Sequence, residues 1–296
     1  MKTLSTIAPV KLNNILFTTD FSPAAEAALP YAAELTRRFG AHLFALHVRP
    51  PTVNPMTQPQ TWPILEEQAR EEAEAEREKL AGAFPGLTPK VIIAEGDLWS
   101  AISSVIEKND IDLLVLGTHG RTGVKKFFLG SAAEEIFRQA PCPVLTVGPY
   151  TPGVPVRGGL ITDIVYATDL RPESEATAKW ALALAEEHQA RLTLLHVVTE
   201  PKVGDLVGLP QVEAGAMHQL RALVPPEAEL WCKPRFVVRQ GDPAKTILDV
   251  AAEQRADMIV LGLHNVKGAL GATHIPTAVA HKVVSHAECP VLTVRG

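Results

Sequence analysis

Apolar residues along this chain gather in short runs, separated by longer stretches in which they recur every three or four positions. In the first half, runs at 14–19, 42–48, 90–94, 112–117 and 143–147 have the length of strands. The stretches near 23–39, 63–83, 98–108 and 130–139 have helical spacing. The second half repeats the alternation, with strands expected near 163–168, 190–197, 233–238, 257–262 and 290–294 and helices near 173–188, 210–223, 243–254 and 276–287. Strand and helix in strict alternation predict an α/β fold, a parallel sheet with helices on both faces. Helix starts are signalled at Ser22-Pro23 and Gly130-Ser131, and Gly40 and Gly86 lie just past helical stretches. Gly96-Asp97 and Gly241-Asp242 read as a turn followed by an N-cap. Positions 66–79 are rich in glutamate with interspersed Arg77 and Lys79, the composition of a solvated helix face.

The same chain is written twice. Asn14-Ile15-Leu16-Phe17-Thr18-Thr19-Asp20 recurs as Asp163-Ile164-Val165-Tyr166-Ala167-Thr168-Asp169, and Leu46-His47-Val48 recurs as Leu195-His196-Val197. Gly96-Asp97 matches Gly241-Asp242, Leu116-Gly117 matches Leu261-Gly262, and Cys142-Pro143-Val144-Leu145-Thr146-Val147 matches Cys289-Pro290-Val291-Leu292-Thr293-Val294. A period this long is the size of a domain rather than of a solenoid repeat. Residues 1–148 and 161–296 are therefore expected to be two copies of one domain. The Pro- and Gly-rich stretch 149–160 joins them as a linker. The prolines between Pro50 and Pro63 predict a loop over the strand ends, suited to act as a lid.

With 296 residues, 46% of them apolar, the chain can bury two ordinary cores. Its net charge of −5 argues against nucleic acid as a partner. No apolar run approaches the roughly 18 residues that cross a bilayer, and the N-terminus lacks a signal-peptide pattern, so a soluble, cytoplasmic protein with no membrane partner is expected. Cys142, Cys232 and Cys289 form no CxxC pair and read as reduced, buried thiols.

Chemistry concentrates at the strand ends of the first copy. The apolar run 112–116 empties into Gly117-Thr118-His119-Gly120, and nine residues later Gly130-Ser131 opens a helix. Glycines let the backbone approach a ligand closely, and a helix start offers free N–H groups, so this segment is a candidate anion site with phosphate as its guest. Asp20 closes the first strand, Val48 the second and Gly117 the fourth, and all three open at one sheet edge. Asp20 would repel phosphate and belongs at a nucleoside end, accepting from ribose hydroxyls or, as the second choice, from an adenine amino group. Val48 offers an apolar wall for a base. Arg121, Lys125 and Lys126 lie within the loop and read as solvated charges able to neutralise phosphate. His47 and His196 read as packed strand histidines. His264, His274, His281 and His286 lack metal-ligand spacing, and no metal site is expected.

The spacing Gly117-x2-Gly120-x9-Gly130-Ser131, the aspartate at Asp20 and the ending Pro143-Val144-Leu145-Thr146-Val147 resemble the ATP-binding branch of the universal stress protein family, in tandem form. The resemblance implies ATP, with a divalent ion such as Mg2+ on its phosphates, held by Asp20, Val48, Leu116, Gly117, His119, Gly120, Gly130, Ser131 and Ala132. It also implies five-stranded sheets in the order 3-2-1-4-5 and dimerisation through the last strand. The fused copies would satisfy that contact within one chain, 143–147 against 290–294, as a pseudo-twofold monomer compatible with a further homodimer. The second copy keeps Asp169 and Val197 but sets Asn265, Ile275 and Pro276 where the first has Gly120, Gly130 and Ser131, so it is expected not to bind triphosphate. A stress-responsive regulator in which nucleotide binding is the output is the leading reading. A slow ATPase would need a base beside the γ-phosphate that the sequence does not supply, and a nucleotide-independent scaffold is the third reading.

Overall fold

The computed structural model describes residues 10–51, 62–118, 131–148, 150–151, 161–199, 209–226, 228, 232–263 and 275–295, with backbone alone at 131–132, 209 and 275–277. The chain divides into compact units, one of them Leu12–Pro149 and the other containing Tyr150–Gly296. The expected lid falls mostly at 52–61 and the expected linker mostly at 152–160, outside the described residues.

In the first unit the chain runs β1 (Asn14–Thr19), α1 (Pro23–Glu26), α2 (Leu29–Phe39), β2 (His42–Arg49), α3 (Trp62–Gly82), β3 (Lys90–Glu95), α4 (Leu98–Lys108), β4 (Leu113–Gly117), α5 (Ser131–Gln139) and β5 (Val144–Val147). Parallel pairings β3-β2, β2-β1, β1-β4 and β4-β5 give the order 3-2-1-4-5. The second unit repeats this with β6 (Asp163–Thr168), α6 (Ser174–His188), β7 (Arg191–Val198), α7 (Leu209–Ala222), β8 (Arg235–Gln240), α8 (Pro243–Gln254), β9 (Met258–Leu263), α9 (Ile275–His286) and β10 (Val291–Arg295), in the order β8-β7-β6-β9-β10. Central strands are apolar along their whole length because helices cover both faces: Ile15, Leu16, Phe17, Leu114 and Val115 are all fully buried. Phe17 meets Phe84 edge to face at 5.4 Å beneath α3.

Local signals set most boundaries. The Ser22 hydroxyl accepts from Ala25 N, and Asp97 and Asp242 accept from Ser100 N and Lys245 N, as N-caps do. Gly40 ends α2 at φ 62°. The helix expected across 23–39 is interrupted at residues 27–28, with Pro30 in the first turn of α2. Proline cannot donate to a carbonyl four residues back and its ring crowds that carbonyl, so the helix restarts around it. The second copy carries Lys179 at the matching position, and α6 runs unbroken. The charged α3 behaves as a solvated helix whose one described buried residue is Leu80. Among the described residues, no helix is long and apolar enough to cross a membrane.

The three cysteines are buried and free. Burial pushes the thiols of Cys142 and Cys232 up to about 11 and that of Cys289 to about 12. The unfolded thiols ionise near pH 8.5, roughly, so the unfolded chain releases these protons first. Their contribution to stability is complete below that pH and is lost as pH rises through the folded values. Denaturation midpoints should therefore fall between pH 8 and pH 11, and Ellman's reagent should titrate all three thiols at pH 8 only after unfolding. Rapid reaction in the native protein would contradict this burial.

Candidate functional site

The turn leaving β1 is built by short polar links. Phe21 N donates to Thr19 Oγ1 at 2.9 Å and Ser22 N donates to Asp20 Oδ1 at 3.0 Å, which sets the Asp20 carboxylate at the strand's C-terminal end. Phe21 adopts φ 59°, a left-handed conformation uncommon for a bulky residue. It is held there from two sides, its ring 4.6 Å from the His47 ring and 4.4 Å from Lys79 Nζ of α3. His47 is buried, and its Nδ1 lies 2.7 Å from Thr19 O; since a carbonyl only accepts, that nitrogen carries the proton. The other ring nitrogen, Nε2, lies 3.8 Å from Glu76 Oε1. His47 is thus a packed strand histidine that fastens the carbonyl immediately before Asp20.

Asp20, Val48, Leu116 and Gly117 meet in a cleft of about 360 Å³ at the C-terminal ends of β1, β2 and β4, beside the point where the strand order reverses. Leu98, Ala133 and Ile136 complete its apolar walls. Ser131 and Ala132 open α5, where the first N–H groups have no intrahelical acceptor. His119, Gly120 and Gly130, together with Arg121, Lys125 and Lys126, lie outside the described residues. Gly117 serves a purpose not legible in its motif: a Cβ there would sit 2.3 Å from Ala24 O and 2.8 Å from Ala25 N, so this glycine lets α1 lie on the strand end. Arg49 also lines the cleft, tied to Ala69 O, Glu72 and Glu76 of α3. Its signal in the sequence is faint, a charge directly after Val48 where the second copy has Val198.

The second unit repeats the turn and rebuilds the cleft. Leu170 N donates to Thr168 Oγ1 at 3.0 Å, Leu170 takes φ 63°, and His196 Nδ1 lies 2.9 Å from Thr168 O. Asp169 is engaged by its own neighbours. Its Oδ1 accepts from Ser174 Oγ at 3.1 Å and Arg171 N at 3.3 Å, and Arg171 Nε stands 3.2 Å from Oδ2. The cleft is smaller, about 260 Å³. The helix correspondence also differs from the expected one. Helices α5 and α9 end equivalently, at Gln139 and His286, and Ala133 and Ala280 line their clefts alike. Counted back from there, Ser131 stands opposite Ala278 rather than Pro276, and α9 starts three residues earlier, about 4.5 Å of extra helix. Pro276 is accommodated in that first turn, where a missing N–H breaks no helical bond.

Among the described residues, no group of three or more histidine, cysteine, aspartate or glutamate side chains could hold a metal ion. His264 and His274 lie outside them; His286 Nδ1 contacts Lys282 O at 2.8 Å.

The sequence profile of the universal stress protein family matches residues 11–148 and again 161–295. Over 299 residues the chain is 24% identical to the universal stress protein Rv2005c of Mycobacterium tuberculosis, an alignment covering 97% of this chain and 98% of that protein. It is 36% identical over 137 residues to a universal stress protein of Thermus aquaticus, covering 45% of this chain and 97% of the shorter one. The crystal structure of a universal stress protein from Archaeoglobus fulgidus shares the fold, with a TM-score of 0.69 at 20% identity over 96% of this chain and 99% of that one. Two matched copies, each with the same strand order and the same turn after its first strand, lead to one conclusion: the chain belongs to the universal stress protein family.

Proposed function

We propose that the first unit binds an adenine nucleotide, ATP with a divalent ion on its phosphates, and that occupancy rather than turnover is the output in a stress response. The observation that carries this reading is the meeting of Asp20, Val48, Leu116 and Gly117 in one cleft at the strand-order reversal. A carboxylate suits ribose hydroxyls, the apolar walls suit a base, and the start of α5 lies on the side where phosphates would extend. Asp20 is the one carboxylate among the described residues lining the cleft, and it stands at the nucleoside end, which speaks against a base poised for hydrolysis. In the second unit the earlier start of α9, with Pro276 in its first turn, disfavours triphosphate.

Calorimetric titration of the full chain with ATP and Mg2+ should give one site per chain. Asp20→Ala should weaken it about tenfold, whereas Asp169→Ala should leave it unchanged. Two sites per chain, or an effect of Asp169→Ala instead, would overturn the assignment to the first unit. No binding at all would overturn the nucleotide. Hydrolysis of bound ATP in a single-turnover assay would favour the ATPase.

A further inference from the structure

We propose that the cleft of the second unit is a separate binding site for a small apolar molecule carrying one anionic group, held by Arg171. The two clefts occupy equivalent places in equivalent sheets, so their differences act as an internal control. Relative to the first, Ala167 replaces Thr18, and the strand-end cation Arg49 has Val198 as its counterpart. The space also reaches deeper, to the buried Tyr166 and Ile247 at its floor. Leu195, Val197, Leu261 and Val279 form its walls. A body made of rings or branched carbons would bury there, whereas a ribose would find its aspartate already taken. At about 260 Å³ the space falls just under the lower end of usual ligand pockets, roughly 300 Å³, so the guest is small.

The head group is specified by Arg171. Its Nε lies on Asp169, which fixes the guanidinium at the rim, while the side chain stays 59% exposed. The terminal nitrogens have no partner among the described residues. A planar guanidinium anchored through one edge presents a second edge in the geometry that receives a carboxylate through two hydrogen bonds. Arg171 is the one cation among the described residues lining this cleft. The Ser174 hydroxyl donates to Asp169, so the carboxylate beside the guanidinium is itself held and does not compete for the incoming anion's position.

The test uses the full chain with 2-naphthoate as probe and 2-naphthamide as its uncharged counterpart, both titrated calorimetrically. Naphthoate should bind at one site, more tightly than the amide. Arg171→Gln should weaken naphthoate about tenfold and leave the amide unchanged. Val279→Phe, which fills the half-exposed wall, should remove both. Hydrogen exchange on binding should slow at the end of β6 and in α9. ATP should not compete, and Asp20→Ala should leave naphthoate affinity intact, so this site and the nucleotide reading can fail separately. Equal affinity for acid and amide, no effect of Arg171→Gln, displacement by ATP, or no binding up to about 1 mM would each overturn the proposal.

Discussion

Gly117→Ala is expected to destabilise the first unit by about 2–3 kcal/mol and to impair its cleft at the same time, although it adds a single methyl group. The methyl carbon would lie 2.3 Å from the carbonyl oxygen of Ala24 and 2.6 Å from its carbon. Both are backbone atoms, so no side-chain rotation relieves the overlap and α1 must move as a body. Ser22 caps that helix through Ala25 N, and Ser22 N in turn holds Asp20 Oδ1. Displacing α1 therefore disturbs the carboxylate that the nucleotide reading needs. The second copy supplies the control. A Cβ on Gly262 would meet Thr177 Oγ1 at 3.1 Å, the tip of a side chain that can rotate, so Gly262→Ala should cost about 1 kcal/mol or less. Urea denaturation followed by hydrogen exchange and mass spectrometry assigns each transition to its unit. Equal losses for the two variants would mean that the contact with Ala24 does not limit this position.

The second large effect is expected at Asp257, at the foot of β9. Its Oδ2 accepts from Thr162 N at 2.7 Å, Thr162 Oγ1 at 2.7 Å and Asp163 N at 3.1 Å, and so closes the start of β6. The first unit uses Asp112 in the same way, accepting from Asn13 N at 2.7 Å and Asn14 N at 3.0 Å. The second version is more enclosed, because Asp163 is buried and binds Arg191 through both oxygens at 2.6 Å, while the corresponding Asn14 is half-buried and Asn13 is exposed. Asp257→Ala leaves two backbone donors without their acceptor in that enclosed setting, while the Thr162 hydroxyl keeps Asp163 Oδ2 at 3.0 Å, and a loss of about 2–3 kcal/mol is expected. At Asp112→Ala water can reach the freed groups, and about 1–2 kcal/mol is expected. Asp257→Asn keeps an acceptor oxygen and should recover at least half of the loss. If asparagine proves as damaging as alanine, the hydrogen bonds are not the cause. Arg191→Gln should cost under about 1 kcal/mol, because the guanidinium is largely solvated.

Both effects turn on contacts between segments far apart in the chain, and this separates what was readable from what was not. The alternation of apolar runs and helical stretches, the caps at Ser22, Asp97 and Asp242, and the αL stop at Gly40 are local matters, settled by a residue's own chemistry and its near neighbours. The break before Pro30 is just as local. It was missed because an apolar period continues across it, although the missing N–H at Pro30 is plain in the sequence.

The site divides along the same line. Asp20, Val48, Leu116 and Gly117 could be placed together from sequence because parallel strands end at one edge, and the sheet order makes them neighbours. Arg49 could not, since whether a residue at a strand end faces the cleft or the helix above depends on where α3 docks. Aligning the copies by their loops set Pro276 against Ser131. The correspondence with Ala278 appears only when each helix is counted back from its end, Gln139 or His286, with Ala133 and Ala280 lining the two clefts alike.

The amino-acid sequence by itself determined the two copies, their α/β character, the family and the strand ends where ligands would gather, because periodicity and repetition are properties of order along a chain. Only the tertiary structure decided that Gly117 is a packing glycine under Ala24 and that Asp169 is already held by Arg171 and Ser174. It alone gave the second cleft its smaller volume and its floor at Tyr166 and Ile247. Those facts are distances between segments, and distances through space exist only once the helices have come to rest on the sheet.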